Sequence, residues 1–201
     1  MSTGGQLYVF EGANACGKTT LAHKLVNSLR ESGIDAEYFA FPGQTAGSLG
    51  RHVWQIHKDP LSLGIQSINP TGLQLLHIAA HIDAIEQTIL PALRANTTVV
   101  LDRFWWSTWV YGITSGVRKS SLKTMLSIEA ECWSGILPDV LFLIERKSPL
   151  DSDVVRNWHD VVAEYSHLAQ EEQQKYPICT IANENTVDMA LSQVRRHLRK
   201  N

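Results

Sequence analysis

Residues 12–20 read Gly-Ala-Asn-Ala-Cys-Gly-Lys-Thr-Thr, a full match to the pattern G-x-x-x-x-G-K-[ST]. Few short patterns constrain a chain more, because this one demands a strand before it and a helix after it. Both flanks comply. Leu7-Tyr8-Val9-Phe10 is an apolar run of strand length, and Leu21 to Leu29 carries apolar residues at helical spacing. Strand, glycine turn and helix N-terminus together aim several backbone N–H groups at one point, which suits the β-phosphate of a nucleotide. Lys18 can add a charge on the β- and γ-phosphates, and the Thr19 hydroxyl can ligate Mg²⁺. The loop is therefore expected to hold ATP and Mg²⁺ through Gly12, Asn14, Ala15, Cys16, Gly17, Lys18, Thr19 and Thr20, with Cys16 as a small filler rather than a nucleophile.

Strand-like runs alternate with helical stretches along the whole chain. The strands are read at Leu7–Phe10, Ala36–Phe39, Thr98–Leu101, Val140–Ile144 and Ile178–Ile181. Helices are read near 18–32, 46–57, 71–95, 105–135 (broken), 152–174 and 186–199, with Thr71 as the cap of the third. Parallel strands need crossovers, so the expected class is α/β: three layers, a five-stranded parallel sheet with helices on both faces. At 201 residues with 44% apolar content, one domain over 1–201 is expected. No apolar stretch reaches the ~18 residues of a membrane span, and no basic-then-apolar leader is visible. A soluble, cytoplasmic protein is expected, in host cytoplasm if the source is viral. Three cysteines without metal spacing (Cys16, Cys132, Cys179) fit a reducing compartment. A net charge of −2 argues against broad electrostatic binding of nucleic acid, though not against a local basic groove.

The second chemical signal is Thr98-Val99-Val100-Leu101-Asp102-Arg103, an apolar strand ending in Asp-Arg. Ligands gather at the carboxyl ends of such strands, so Asp102 is read as a Mg²⁺-organising carboxylate. Arg103 is read as stabilising charge on a transferring phosphoryl group. Taken together, the chain resembles the thymidylate kinase family of nucleoside monophosphate kinases. The resemblance rests on Phe10-Glu11-Gly12 and the loop, Phe41-Pro42-Gly43-Gln44-Thr45, Leu75 to His81, Leu101-Asp102-Arg103-Phe104 with Ser107 and Tyr111, Leu137-Pro138-Asp139-Val140, and Trp158 through Tyr165. It implies a P-loop kinase fold and transfer of the ATP γ-phosphoryl group to an acceptor related to thymidine monophosphate. By the same resemblance Lys18, Arg103, Asp102 and Glu11 are catalytic, Thr19 and Asp102 serve the metal, and Arg146 joins the ATP site. The acceptor is expected to meet Phe41, Gln44, His81, Phe104, Trp105 and Tyr111. Residues 182–186 correspond to a stretch that packs on adenine in the family, and a homodimer through apolar helices is compatible with the pattern.

The departures from the family pattern fall on the acceptor half. Asn14 stands where the family has an acidic residue, and Ala40, Gln44 and Ile82 stand where it has phosphate-binding arginines. Neither Gln nor Ile can replace the bidentate grip of Arg on a phosphate. The lid region, about 146–157, is short: eleven residues separate Arg146 from Trp158, and Arg146, Lys147 and Arg156 are its cations. The primary expectation is a thymidine-type or modified pyrimidine deoxynucleotide as acceptor. A second is the hydroxymethyl group of 5-hydroxymethyluracil within DNA, as in hypermodification by bacterial viruses, with Phe104-Trp105-Trp106, Trp109 and Tyr111 stacking on unpaired bases. A third, of another class, is a nucleotide-binding regulator that transfers nothing. His77 and His81, at i and i+4, lack a third ligand and are read as packed or substrate-facing rather than metal-binding.

Overall fold

Each of the five strands read from the sequence is present in the computed structural model, and each runs one residue further at its carboxyl end. They are β1 (Leu7–Glu11), β2 (Ala36–Ala40), β3 (Thr98–Asp102), β4 (Val140–Glu145) and β5 (Ile178–Ala182). The extra residue is held by pairing: Ala40 opposes Asp102, Glu11 opposes Leu143, and Glu145 opposes Ala182. All pairs are parallel, in the order β2-β3-β1-β4-β5. The central strands are buried along their length, as expected of a parallel sheet covered on both faces. The structure describes residues 4–43, 45–151 and 157–198.

The helices are α1 (Lys18–Glu31), α2 (Leu49–Lys58), α3 (Pro70–Ala84), α4 (Leu90–Arg94), α5 (Trp105–Thr114), α6 (Lys119–Cys132), α7 (Trp158–Glu172) and α8 (Val187–Leu198). By contact they fall into two groups. α1 packs with α8 and against β1–β3, while α3, α5, α6 and α7 pack with one another. Two expectations about helix ends are corrected, and an expected break is given its place. The helix read as 71–95 is interrupted by a π turn at Ile85–Ile89, directly ahead of Pro91. Proline cannot donate to the carbonyl four residues back and its ring crowds it, and a wider turn relieves both problems. Asn69, not Thr71, caps α3: its side chain accepts from Thr71 N–H at 2.9 Å. The break within 105–135 falls at Gly116, whose φ of 82° ends the first helix and lets α6 start afresh.

Four of the six tryptophans, Trp106, Trp109, Trp133 and Trp158, are core residues. Trp106 donates through Nε1 to Tyr176 Oη at 2.8 Å, and Trp109 through Nε1 to Glu164 at 2.9 Å. That corrects the reading of Trp106 as part of a stacking surface for unpaired bases, since an indole fully enclosed by its own protein has no face left for a base.

One carboxylate ties the sheet to this helical layer. Glu11, at the end of β1, is fully buried. Its Oε1 accepts from the N–H groups of Phe104 at 2.7 Å and Ser107 at 3.0 Å, the opening of α5. Its Oε2 accepts from Ser107 Oγ at 2.8 Å and from the Tyr165 hydroxyl of α7 at 3.0 Å. An anion at a helix N-terminus satisfies orphan amides and complements the helix dipole. Glu11→Ala strands several buried donors and is expected to lower the unfolding free energy by about 3–5 kcal/mol. The check is the shift in urea midpoint, with Glu11→Gln, which keeps an acceptor oxygen, falling between the two.

Candidate active site

The loop between β1 and α1 takes the wrapped form its glycines permit. Gly12 has φ 139°, and a Cβ there would lie 2.4 Å from the Ile144 carbonyl oxygen. Gly17, at φ 92°, begins α1, and a Cβ there would meet the Asn183 amide at 2.4 Å. Both positions therefore admit only glycine, for conformation and for space. The far side of the loop is held from β4 and β5. Asn183 Nδ2 donates to the Cys16 carbonyl at 2.8 Å, and Leu150 N–H donates to the Ala15 carbonyl at 2.8 Å. Cys16 is 1% exposed and acts as the filler expected of it.

Lys18 is 4% exposed, and its ammonium donates to the Ala13 carbonyl at 2.8 Å. Burial pushes its pKa down and Arg103 pushes it further, against the pull of Cys16, Asp102 and Glu11. An anion in the loop would therefore find a cation already stripped of water. Next to it the Thr19 hydroxyl donates to Asp102 Oδ2 at 2.5 Å, and the Tyr38 hydroxyl donates to the same oxygen at 3.2 Å. Asp102 Oδ1 is buried and has no hydrogen-bond partner among the described residues. A hydroxyl beside a carboxylate with a spare buried oxygen is a hard-oxygen set, so these residues fit Mg²⁺.

Arg103 reaches the loop from β3 through a strained backbone. Its φ is 75°, and its N–H donates to the Phe10 carbonyl at 2.9 Å. That conformation is costly for a side chain with a Cβ, and neighbours on both strands hold it. The guanidinium donates to Ser107 Oγ at 2.8 Å and to Asn14 Oδ1, and lies 5.6 Å over the Tyr111 ring. Asn14 N–H donates to the Tyr111 hydroxyl at 2.8 Å. Loop, Arg103 and Tyr111 thus form one bonded rim.

The structure gathers Gly12, Asn14, Ala15, Cys16, Gly17, Lys18, Thr19, Thr20, Asp102, Arg103 and Tyr111 at one place. Other expected residues lie elsewhere. Glu11 sits beneath this rim with both oxygens engaged on α5 and α7, so it is not offered to metal or acceptor. Phe104 is 3% exposed and packs edge-on against Trp133 at 5.3 Å, which removes its ring from the cleft. Trp105 is half-buried on the flank of α5 away from Tyr111. Arg146 is spent on carbonyls, donating to Ser148 at 3.1 Å and to Asn183. It also borders a small cavity shared with Gly12, Ala13 and Cys16 of the loop. Gln44 and residues 152–156 of the lid region, Arg156 among them, fall outside the described residues.

Among the residues expected to meet the acceptor, Phe41 stacks on His81 at 4.0 Å and 11°. His81 is 2% exposed and bonds through Nδ1 to Glu129 Oε2 at 3.0 Å. His77 Nε2 lies 2.9 Å from His57 Nδ1. Burial, then His81 and His57, push the His77 pKa down to about 3. Among the described residues no group of three or more His, Cys, Asp or Glu is arranged to hold a metal ion. Two residues here escaped the sequence reading. Tyr38 gave no signal, being one aromatic in a strand. Glu129 did give one: it shares a helical face with Leu122 and Met125, where a carboxylate is out of place.

A family model described as Thymidylate kinase matches residues 10–188. The curated thymidylate kinase of Pelodictyon phaeoclathratiforme is 33% identical over 140 residues, covering 69% of this chain and 60% of that protein. That of Chlamydia trachomatis is 32% identical over 204 residues, covering 93% of this chain and 97% of that protein. The solved thymidylate kinase of Ehrlichia chaffeensis matches with a TM-score of 0.76 at 22% identity, over 97% of this chain and 99% of that one, a likeness of fold.

Two predictions come from this geometry. Tyr38→Phe removes one of the two hydroxyls that orient Asp102, and is expected to raise about tenfold the Mg²⁺ concentration needed for half-maximal binding of an ATP analogue. An unchanged Mg²⁺ dependence would mean that the phenol only packs on His23. The second concerns acid. His77 titrates near 3 in the fold and near 6.5 in the unfolded chain, so the unfolded chain binds the proton first. Its stabilising effect is complete above pH 6.5 and is lost as pH falls from there toward 3, about 2–3 kcal/mol by pH ~4.5. Urea midpoints at both pH values should converge for His77→Gln relative to the unmodified chain.

Proposed function

The chain belongs to the thymidylate kinase family, and on that footing we propose that it is an ATP- and Mg²⁺-dependent phosphotransferase acting on a thymidine-type or modified pyrimidine deoxynucleotide. The observation that carries this reading is the contact of Thr19 with Asp102 beside the loop, which leaves Asp102 Oδ1 buried and without a partner among the described residues. Thr19 and Asp102 would hold Mg²⁺, which when bound neutralises charge on the phosphate oxygens. The N–H groups of the loop and the ammonium of Lys18 would orient the triphosphate, and Arg103, between the loop and Tyr111, would face the group in transfer. Such chemistry rests on positioning and charge, with no covalent step on the protein. Exposed Leu49, Leu75 and Ile128 on α2, α3 and α6 support a second copy as partner. No helix among the described residues is long and apolar enough to cross a membrane.

A second reading, an acceptor without a free 5′-phosphate such as 5-hydroxymethyluracil in DNA, draws support from the acceptor half. His77 is neutral near pH 7 and His81 is bonded to Glu129, so imidazoles stand where a phosphate grip would need arginines. Against it, a hydroxyl nucleophile needs a proton acceptor whereas a phosphate oxygen does not, and Glu11 is fully engaged. A regulator that binds nucleotide without transferring phosphate has less use for a strained Arg103.

The test is transfer of label from γ-labelled ATP with Mg²⁺ to thymidine, thymidine monophosphate, and DNA with or without 5-hydroxymethyluracil. Label is expected on the free deoxynucleotide, with Lys18→Ala and Arg103→Ala each lowering kcat/KM by about 10²–10³-fold. Label on modified DNA alone would establish the second reading. ATP binding with no acceptor labelled, unaffected by Arg103→Ala, would establish the regulator.

A further inference from the structure

Away from the phosphate loop, α5, α6 and α7 leave a cavity of about 460 Å³ between them, a volume in the range of small-molecule sites. Trp105 and Trp109 line it from α5. At 100° per residue they lie roughly opposite Ser107 and Tyr111, which bond toward the loop, so the cavity is a separate site. Leu126, Trp133 and Leu168 supply further apolar wall.

Two polar atoms in this wall stand without partners among the described residues: Glu129 Oε1 and Trp133 Nε1. Their side chains are deeply buried, at 1% and 4% exposure, and sit at i and i+4 one turn apart around the end of α6. An acceptor and a donor, one helical turn apart in the same wall, thus each carry a desolvation cost that a bound group would relieve. We propose that the cavity is a second ligand site, for a flat, phosphate-free heterocycle whose edge sets an N–H donor beside a ring-nitrogen acceptor. The amino edge of adenine has that pattern. The amino group would donate to Glu129 Oε1, the ring nitrogen would accept from Trp133 Nε1–H, and the ring would pack on Trp105 and Trp109. Both wall atoms lie beneath the cavity surface, so seating the ligand turns wall side chains, a common adjustment on binding. A phosphate is disfavoured, because Glu129, Glu171 and Glu172 in the lining outnumber Lys123 and Lys175, and Lys175 is already bonded to Glu172 at 2.7 Å. The other oxygen of Glu129 bonds His81, which stacks on Phe41, so an occupant of this cavity is one carboxylate away from the acceptor half.

The test uses the full chain with its phosphate loop saturated by Mg²⁺ and a non-hydrolysable ATP analogue. Adenosine and purine riboside, which lacks the amino group, are titrated by calorimetry and tryptophan fluorescence. One saturable adenosine site is expected, with purine riboside at least about tenfold weaker. Ala130→Trp, at an exposed position in the cavity lining, should abolish adenosine binding while analogue binding and the unfolding midpoint stay unchanged. No adenosine binding at millimolar concentration, equal binding of the two nucleosides, or binding that survives Ala130→Trp would each overturn the proposal. Because binding is read directly, the result is independent of whether the chain transfers phosphate.

Discussion

The carboxylate of Glu11 holds the rest of the site in register. It closes β1 one residue before the loop begins, and it accepts the opening amides of α5 one residue after Arg103. Arg103 itself donates its N–H to Phe10 on β1. Loop and arginine are thus fixed to the same strand by two adjacent links, one through a backbone amide and one through a buried anion. Removing a buried anion with four donors costs far more than removing a surface pair, because the donors remain desolvated. Burial pushes the Glu11 pKa up, while Arg103, the Phe104 amide and Ser107 pull it down. Four accepted hydrogen bonds are a pattern that only the ionised form satisfies fully.

Around that anchor the site balances charge in a dry setting. Lys18 and Arg103 face Glu11 and Asp102 within a few residues of the loop, and three of the four are under 5% exposed. Each would be costly alone, and together they supply fixed dipoles and charges that need little reorganisation when a substrate arrives. Tyr38 is part of this economy. It and Thr19 both donate to Asp102 Oδ2, which leaves Oδ1 as the oxygen free to meet an incoming cation. The strain at Arg103 and the turn at Ala15 (φ 55°) fall in the same few ångströms, where the surrounding bonds can hold them.

Much of this was legible in the sequence because it is written in local chemistry. The loop pattern dictates backbone, the apolar runs dictate a parallel sheet, and an Asp at a strand end in that sheet falls at the site. What was not legible depends on where a side chain turns. Glu11 stands beside the loop in sequence, yet its carboxylate goes to α5, and nothing in the order of residues says which neighbour it will choose. Phe104 and Trp106 are aromatic at the mouth of the site and still belong to the core, since aromatic residues serve both purposes. Helix ends slipped where single residues decide them: Pro91 forced a wide turn, and Asn69 outcompeted Thr71 as a cap. Glu129 could have been found, because a carboxylate on an apolar helical face must have a buried partner, here His81.

The proposed acceptor half is where the chain departs most from a phosphate grip. His77 is held neutral, His81 is committed to Glu129, and Arg51 lies over Trp54 at 5.0 Å. Among the described residues Arg103 stands between the halves, and it already serves Ser107 and Asn14. A dianionic acceptor would have to draw that guanidinium away from neutral partners, which charge-assisted bonding favours. A neutral hydroxyl acceptor would not need to, but it would need somewhere to put a proton, and Glu11 has no oxygen to spare. Either way the demand falls on Asp102 Oδ1, the buried carboxylate oxygen at the loop that has no partner among the described residues. If that oxygen is committed to a cation, the acceptor must arrive already deprotonated, as a phosphate does. If it is committed to a proton, the metal is left with Thr19 and the phosphates alone, a weaker hold for an ion that favours oxygen anions. The choice of acceptor and the choice of ligand for one carboxylate oxygen are therefore the same choice.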